Sequence, residues 1–175
     1  MSLENIKIKA QQERGFTIVE LLIVVVVIAI LAAITIVSYN GITTRANTSA
    51  AKATAATVQK KSELYNTDSG NNRYPVTGSE LTTAAASASY YVTGVTINFS
   101  TTALTSASGN STVRVLKCST TAATTNTQAN IVGTAAAPPT TQPNSGMKIF
   151  YWDAVANTES ANPILVGDTT NCPTT

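Results

Sequence analysis

The chain has 175 residues, enough for one modest domain with an extension but too few for two large globular domains. Only 11% of the residues are charged, below the roughly 25% typical of soluble domains. The net charge is +2 without a basic cluster, there is no His, and Cys118 and Cys172 lie far apart, so nothing predicts nucleic-acid binding, a CxxC redox pair or a zinc cluster.

The first predicted elements are a polar leader over residues 1–15 and a membrane-spanning helix over residues 16–37. Residues 21–34 are apolar without interruption, and Glu20 is the only charge in the wider run. At about 1.5 Å per residue, such a helix spans about 33 Å, enough to cross a bilayer core of about 30 Å. The run is rich in β-branched residues, but lipid requires backbone groups to bond within the segment, which favours a helix over a strand.

Charge on either side of the apolar run predicts its orientation. Three basic residues precede it and most of the polar chain follows, so we expect the N-terminus in the cytoplasm and the C-terminal part outside, although Arg45 and Lys52 weaken the asymmetry. Oxidising compartments preserve disulfides, which favours a bond between Cys118 and Cys172. Two separate buried thiols are the alternative.

The helical pattern continues beyond the membrane segment. Residues 42–69 contain neither Gly nor Pro and are rich in Ala, so we predict one helix over about residues 16–66. The segment after the membrane span, residues 38–69, is predicted to be amphipathic. A stripe of mostly small residues at spacings of three and four could lie against a sheet: Ala51, Ala55, Val58, Ser62 and Tyr65. Turn-forming residues at 68–72, followed by Pro75, predict the end of this helix.

Residues 70–175 are predicted to form an antiparallel β domain. Strand-like runs occupy residues 90–99, 112–118 and 147–152, with a short fourth run at 164–166. Alternation of buried and polar positions supports this at Val113, Val115, Ile149 and Tyr151. Residues 119–146 are rich in Thr, Ala and Pro, so we expect a long loop there, mobile over much of its length.

Two other sets of residues in this domain could be read as sites. The aromatic residues are interpreted as core and sheet-face residues, with a ligand platform as the alternative: Tyr90, Tyr91, Phe150, Tyr151 and Trp152. Asp153, Glu159 and Asp168 are too few and too dispersed for a calcium site, which needs about six to eight oxygens. We therefore expect no catalytic residue, no metal site and no cofactor, and we expect that the protein is not an enzyme.

Three residues at the start of the apolar run suggest a site. Because Gly15 has no Cβ, a protease could bring its catalytic groups close to the Gly15 carbonyl. Cleavage after Gly15 would free the amino group of Phe16. An acid within a membrane segment costs about 2.5 to 3.5 kcal/mol at the bilayer centre and less near the interface, so Glu20 needs a partner. No Lys or Arg follows Glu20 within the apolar run. The freed amino group, of the same chain or of a neighbour, is the expected partner.

The sequence from Arg14 to Val25, RGFTIVELLIVV, resembles the class III signal of type IV prepilins. The resemblance implies cleavage between Gly15 and Phe16 by a prepilin peptidase, N-methylation of Phe16, and a role for Glu20 in guiding the subunit into a growing filament. It also implies an α+β, pilin-like fold, in which a long N-terminal helix, membrane-spanning in its first half, packs on a small C-terminal antiparallel sheet.

The resemblance extends less closely to the rest of the chain. Family members commonly have a disulfide that bounds a variable C-terminal region, and Cys118 and Cys172 are compatible with that pair. Many pilins have Pro at the position matching Val37, so no proline kink is expected here. An ordinary signal anchor or a secretory signal peptide would also have an apolar core, but an acid five residues into the segment is unexpected for either.

These observations predict a structural subunit of a type IV pilus or a pilus-like surface filament. The expected partners are other copies of the chain, the prepilin peptidase and N-methyltransferase, the pilus assembly platform and the membrane. The subunit would be a single-pass cytoplasmic-membrane protein before assembly and extracellular afterwards. One alternative is a pseudopilin of a type II secretion or DNA-uptake system, and a second is a solitary membrane-anchored binding protein.

Overall fold

The computed structural model describes residues 15–70, 72–119 and 144–172. The leader before Gly15 and most of the predicted loop at 119–146 lie outside the described residues. The chain divides into two compact units, Met1–Asn40 and Gly41–Thr175. Its helices are α1, Ile18–Asp68, and α2, Ser79–Thr82, with a 3₁₀ turn at Ser106–Ser108; its strands are β1, Thr96–Phe99, β2, Thr112–Ser119, β3, Asn144–Asp153, β4, Thr158–Glu159, and β5, Ile164–Gly167.

The first unit consists, in its described part, of the start of α1 and the three residues before it. The predicted long helix is confirmed, with bounds that differ by two residues at each end. Its large apolar side chains are exposed from Phe16 through Tyr39, and none of its apolar 18-residue window is buried. The helix is long and apolar enough to cross a membrane. Its apolar surface therefore requires either lipid or other protein around it.

In the second unit, the remainder of α1 packs against a sheet. The buried residues of the helix are those of the predicted stripe: Ala51, Ala55, Val58, Ser62 and Tyr65. They join a core to which β2 contributes Val113 and Val115, and β3 contributes Met147 and Ile149. Small side chains at positions 51 and 55 allow the helix backbone to approach the sheet closely. The α+β fold class is confirmed.

The sheet has five strands and is mixed. Strands β2 and β3 pair antiparallel, and β4 and β5 both pair antiparallel with β3. Strand β1 lies at one edge and pairs parallel with β2, from Thr96 opposite Thr112 to Phe99 opposite Val115. The expectation of an entirely antiparallel sheet is corrected at this edge, because the residues between β1 and β2 form a crossover long enough to return the chain to the same end of the sheet.

Other strand predictions differ at their ends. Of the run at residues 90–99, only Thr96–Phe99 is a strand, because Gly94 has a φ of 71° that interrupts extended backbone. Strand β3 begins at Asn144, three residues before its predicted start. The two-residue strand β4 was not predicted. The last predicted run is confirmed as β5.

Strand β2 is buried on both faces, whereas alternation predicted a strand with one face exposed. Arg114 on the second face pairs with Glu159 of β4: its Nε donates to Oε2 at 2.8 Å, and its Nη2 contacts Oε1. The guanidinium also lies 4.1 Å from the centre of the Phe150 ring. A fully paired and stacked guanidinium can replace solvent at a buried position, which explains the burial of Arg114.

A second buried ion pair joins the segment after α1 to helix α2. Arg73 Nη2 lies 2.6 Å from Glu80 Oε1, which also accepts a hydrogen bond from the Tyr65 hydroxyl at 2.8 Å. The backbone N–H groups of Val76 and Thr77 donate to the other oxygen, Oε2, at 2.5 and 3.1 Å. Burial raises the pKa of Glu80, but the bonds from Arg73, Val76, Tyr65 and Thr77 outweigh it and hold the pKa below its usual value.

Candidate processing and assembly site

The residues around the predicted cleavage site form the start of α1. Gly15, Phe16 and Thr17 precede the helix, which begins at Ile18. The first helical turn is closed by a hydrogen bond from Leu21 N to Thr17 O at 3.3 Å. Thr17 is thus the N-cap residue, at which the chain changes from irregular to helical backbone.

Thr17 and Glu20 form a reciprocal capping box. Thr17 N and Thr17 Oγ1 both donate to Glu20 Oε2 at 2.8 Å, and Glu20 N donates to Thr17 Oγ1 at 3.2 Å. These bonds satisfy two of the backbone N–H groups that a helix start leaves unpaired. This role of Glu20 was not predicted, although a Thr followed three residues later by Glu before an apolar run is the known sequence signature of a capping box.

The capping box leaves the Gly15–Phe16 bond outside the helix. Apart from its chain neighbours, no described residue has an atom within 4 Å of the position where a Cβ on Gly15 would be, and the Phe16 side chain is 89% exposed. A peptide bond outside the helix, on which none of the described side chains beyond its chain neighbours packs, is open to an enzyme. Both members of the box lie on the C-terminal side of the bond, so cleavage there would leave the cap intact.

The helix cap uses only one of the two carboxylate oxygens of Glu20. Its two accepted bonds go to Oε2, and among the described residues Oε1 accepts none. The carboxylate lies on an exposed helix turn between exposed Val19 and Leu21. One oxygen is therefore held in place by its own chain, and the other can accept a donor from elsewhere.

The other residues singled out in the sequence lie in the second unit. Cys118 of β2 and Cys172 are joined by a disulfide, which fastens the end of the described chain to the sheet. The three dispersed acids have separate local roles. Asp153 accepts from Thr48 Oγ1 at 3.0 Å, Glu159 pairs with Arg114, and Asp168 accepts from Thr170 N at 2.9 Å. In the described part of the chain, no three His, Cys, Asp or Glu side chains come together as metal ligands.

A comparison with known protein families identifies a motif in the N-terminal segment. Residues 11–36 match the family model described as the prokaryotic N-terminal methylation motif. The chain carries this motif. The match spans the Gly15–Phe16 bond, the capping box and most of the apolar run, and it confirms the resemblance to class III signals.

This motif implies processing by a prepilin peptidase and association with a membrane, and it supports a protein of type IV pilin or pseudopilin type. Searches of curated proteins and of solved structures gave no significant match to the chain. The evidence for this protein type therefore comes from the motif together with the fold.

Proposed function

We propose that this protein is a structural subunit of a type IV pilus or pilus-like surface filament, built from many copies of the chain. The observation that carries the proposal is the juxtaposition of the methylation motif with a capped helix whose apolar first half is exposed. The helix provides the polymerising surface and the sheet unit provides the exterior. The proposal assigns the protein no catalytic role.

Burial of the apolar helix supplies the driving force for assembly. The side chains of Leu22, Ile28 and Ile34 are 59–60% exposed, and the large aliphatic residues between positions 21 and 31 are 48–64% exposed. Each large aliphatic side chain that moves from water to an apolar environment contributes about 1.5 to 3 kcal/mol. Once such a helix leaves the bilayer, packing against its copies is the way to keep that surface from water.

Processing would prepare the helix for this packing. We propose that prepilin peptidase cleaves between Gly15 and Phe16 and that the new Phe16 amino group is N-methylated. That amino group and Glu20 Oε1 then form a charge pair, within one subunit or between neighbours. Such a pair would neutralise the one acid of the apolar run and set the axial register of subunits.

The proposed topology follows from the same segment. Before assembly the subunit spans the cytoplasmic membrane once, with its N-terminus inside and its sheet unit outside. The assembly platform then extracts it into the filament, which places the sheet unit in the extracellular space. The same features also suit a pseudopilin of a secretion or DNA-uptake system, which differs in filament length rather than in subunit chemistry.

Mass spectrometry of the mature N-terminus tests the proposal. We expect a peptide that begins with Phe16 and carries one additional methyl group, and we expect Gly15→Leu to leave the precursor uncleaved because its side chain obstructs the protease. Recovery of an intact Met1 from wild-type membranes would exclude both the pilin and the pseudopilin, and would favour a solitary anchored protein. Electron microscopy of sheared surface material then separates a long pilus from a short pseudopilus.

A further inference from the structure

A small cavity in the second unit lies beside the single tryptophan of the chain. Its volume is about 260 Å³, and it is lined by Asn47, Ser106, Gly109, Asn110, Trp152 and Ala154. The first of these belongs to α1, the next three to the crossover between β1 and β2, and the last two to the end of β3 and the turn after it. All six side chains are uncharged.

The polar groups of this cavity are available to a ligand. The amides of Asn47 and Asn110, the Ser106 hydroxyl and the Trp152 indole N–H make no hydrogen bond to any other residue that the structure describes. Asn47, Ser106 and Asn110 are exposed and Trp152 is half-buried, so these groups bond to water in the free protein. A ligand that carries hydroxyl groups can take the place of that water.

The walls of the cavity are held in position by bonds next to the lining residues. Thr48 Oγ1, adjacent to Asn47, donates to Asp153 Oδ1 at 3.0 Å and ties α1 to the end of β3. Leu104 N donates to Glu159 Oε2 at 2.8 Å, which ties the crossover to β4. Within the crossover, Thr105 N donates to Ser108 Oγ at 3.1 Å. A site fixed in this way loses little conformational entropy when it binds a ligand.

The lining chemistry suits a neutral, polyhydroxylated ring. The flat face of an indole packs against the C–H groups of a sugar, and a side-chain amide both donates to and accepts from hydroxyl groups. Nucleotides are disfavoured, because no Lys or Arg is among the described residues that line the cavity, and nucleic-acid sites combine stacking with positive charge. The volume lies just below the roughly 300 to 1,000 Å³ of most small-molecule pockets, which suits a single sugar ring.

We propose that this cavity binds a neutral saccharide residue, with the ring stacked on Trp152 and its hydroxyl groups bonded to Asn47 and Asn110. The inference goes beyond filament assembly and does not depend on it, because every lining residue lies within the second unit. A subunit that failed to polymerise would still carry the site.

Fluorescence of the sole tryptophan provides a direct test. The full chain is held in micelles of a zwitterionic detergent without a sugar head group, and the neutral monosaccharides glucose, galactose, mannose, N-acetylglucosamine and N-acetylgalactosamine are titrated in turn. We expect a saturable change in Trp152 emission with at least one of them. No saturable change with any of the five would overturn the proposal, as would a tighter response to a nucleoside monophosphate.

Matched variants locate the binding. Asn47→Ala and Asn110→Ala each remove one amide and should weaken binding by about three- to tenfold. Asn98→Ala, at an exposed position of β1 outside the cavity, should leave it unchanged. Circular dichroism establishes that each variant is folded, and ligand-observed NMR extends the test to Trp152→Ala, which should abolish binding. Equal affinity for all four variants would assign the sugar to another surface and overturn the proposal.

Discussion

At the scale of single residues, one position separates the proposed cleavage site from the helix cap. Phe16 would become the terminal residue, directly before the N-cap Thr17. Its new amino group would bring a positive charge to the end of the helix where the dipole is already positive, an unfavourable arrangement. An acid in the first turn offsets both charges, and Glu20 is the acid in that turn. N-methylation retains the positive charge, so the need for the acid persists in the mature subunit.

Two substitutions of Glu20 distinguish its role in the helix cap from the role of its negative charge. Glu20→Gln preserves an acceptor for the Thr17 bonds but removes the charge, whereas Glu20→Ala removes both. Because the apolar run is unchanged, we expect both variants to insert into the membrane. We expect both to reduce the yield of sheared filaments by at least about tenfold, the effect of an interaction worth about 1.4 kcal/mol.

Thr17→Ala provides the matched control, since it weakens the cap and leaves the charge in place. Its filament yield should stay closer to that of the wild type than the yields of either Glu20 variant. Quantitative blots of the sheared fraction measure the filament yield, and blots of the membrane fraction measure insertion. Normal filament yield from Glu20→Gln would show that Glu20 acts through the helix cap alone.

At the scale of elements, the sequence predicts those features that depend on local periodicity. The length of α1 and its buried stripe follow from spacing along one helix, and both are confirmed. The parallel pairing of β1 depends on the path of a crossover, which the local pattern does not specify. The ion pair of Arg114 and Glu159 joins residues 45 positions apart. In the sequence, a charged residue within a strand indicates an exposed face, so the burial of Arg114 could not be predicted.

Packing between β3 and β5 requires a glycine at position 146. A Cβ on Gly146 would overlap the backbone oxygen of Asp168 and lie 2.6 Å from that of Val166, and backbone atoms within a sheet cannot easily move away. We expect Gly146→Ala to lower the free energy of unfolding by about 2 kcal/mol or more, as overpacking does. Urea unfolding of the full chain in micelles, followed by Trp152 fluorescence, measures this loss.

The same substitution elsewhere should have the opposite sign. Gly41 lies in α1, where no described atom beyond its chain neighbours and the nearby helix backbone comes within 4 Å of its missing Cβ, and Ala is favoured over Gly within a helix by about 0.5 to 1 kcal/mol. Gly41→Ala should therefore raise the free energy of unfolding by up to about 1 kcal/mol. If both variants lost stability equally, the close approach at Gly146 would not be the cause.

At the scale of the whole molecule, stability depends on few ionisable groups. The chain has nine Asp and Glu residues, and Glu80 and Glu159 are held in buried ion pairs with Arg73 and Arg114. Thr, Ser, Ala and Asn, which do not titrate, make up much of the rest of the sequence. The response of the protein to acid should therefore come largely from a small number of carboxylates, with Glu80 prominent among them because of its four donors.

The sign of that response follows from the pKa of Glu80. Its carboxylate is more acidic in the folded protein than its usual pKa of 4.5, so the folded state favours the charged form. This contribution to stability is fully present above about pH 4.5 and is lost as the pH falls through the lower, folded value. We expect the free energy of unfolding to fall with acidification in that range, with a slope from this one group of at most about 1.4 kcal/mol per pH unit.

Comparison with Glu80→Gln isolates the contribution of this carboxylate. The variant leaves the Arg73 charge buried without its partner, so it should be less stable than the wild type at pH 7 by about 3 kcal/mol or more. It should also respond less steeply to acid, because it lacks the titrating group, and the two stability curves should converge at low pH. Asp168→Asn, at an exposed carboxylate that accepts a local bond from Thr170 N, controls for a general loss of negative charge and should change the acid response less than Glu80→Gln does. Urea unfolding at a series of pH values measures all three curves, and a Glu80→Gln curve parallel to the wild type would mean that the acid response arises elsewhere.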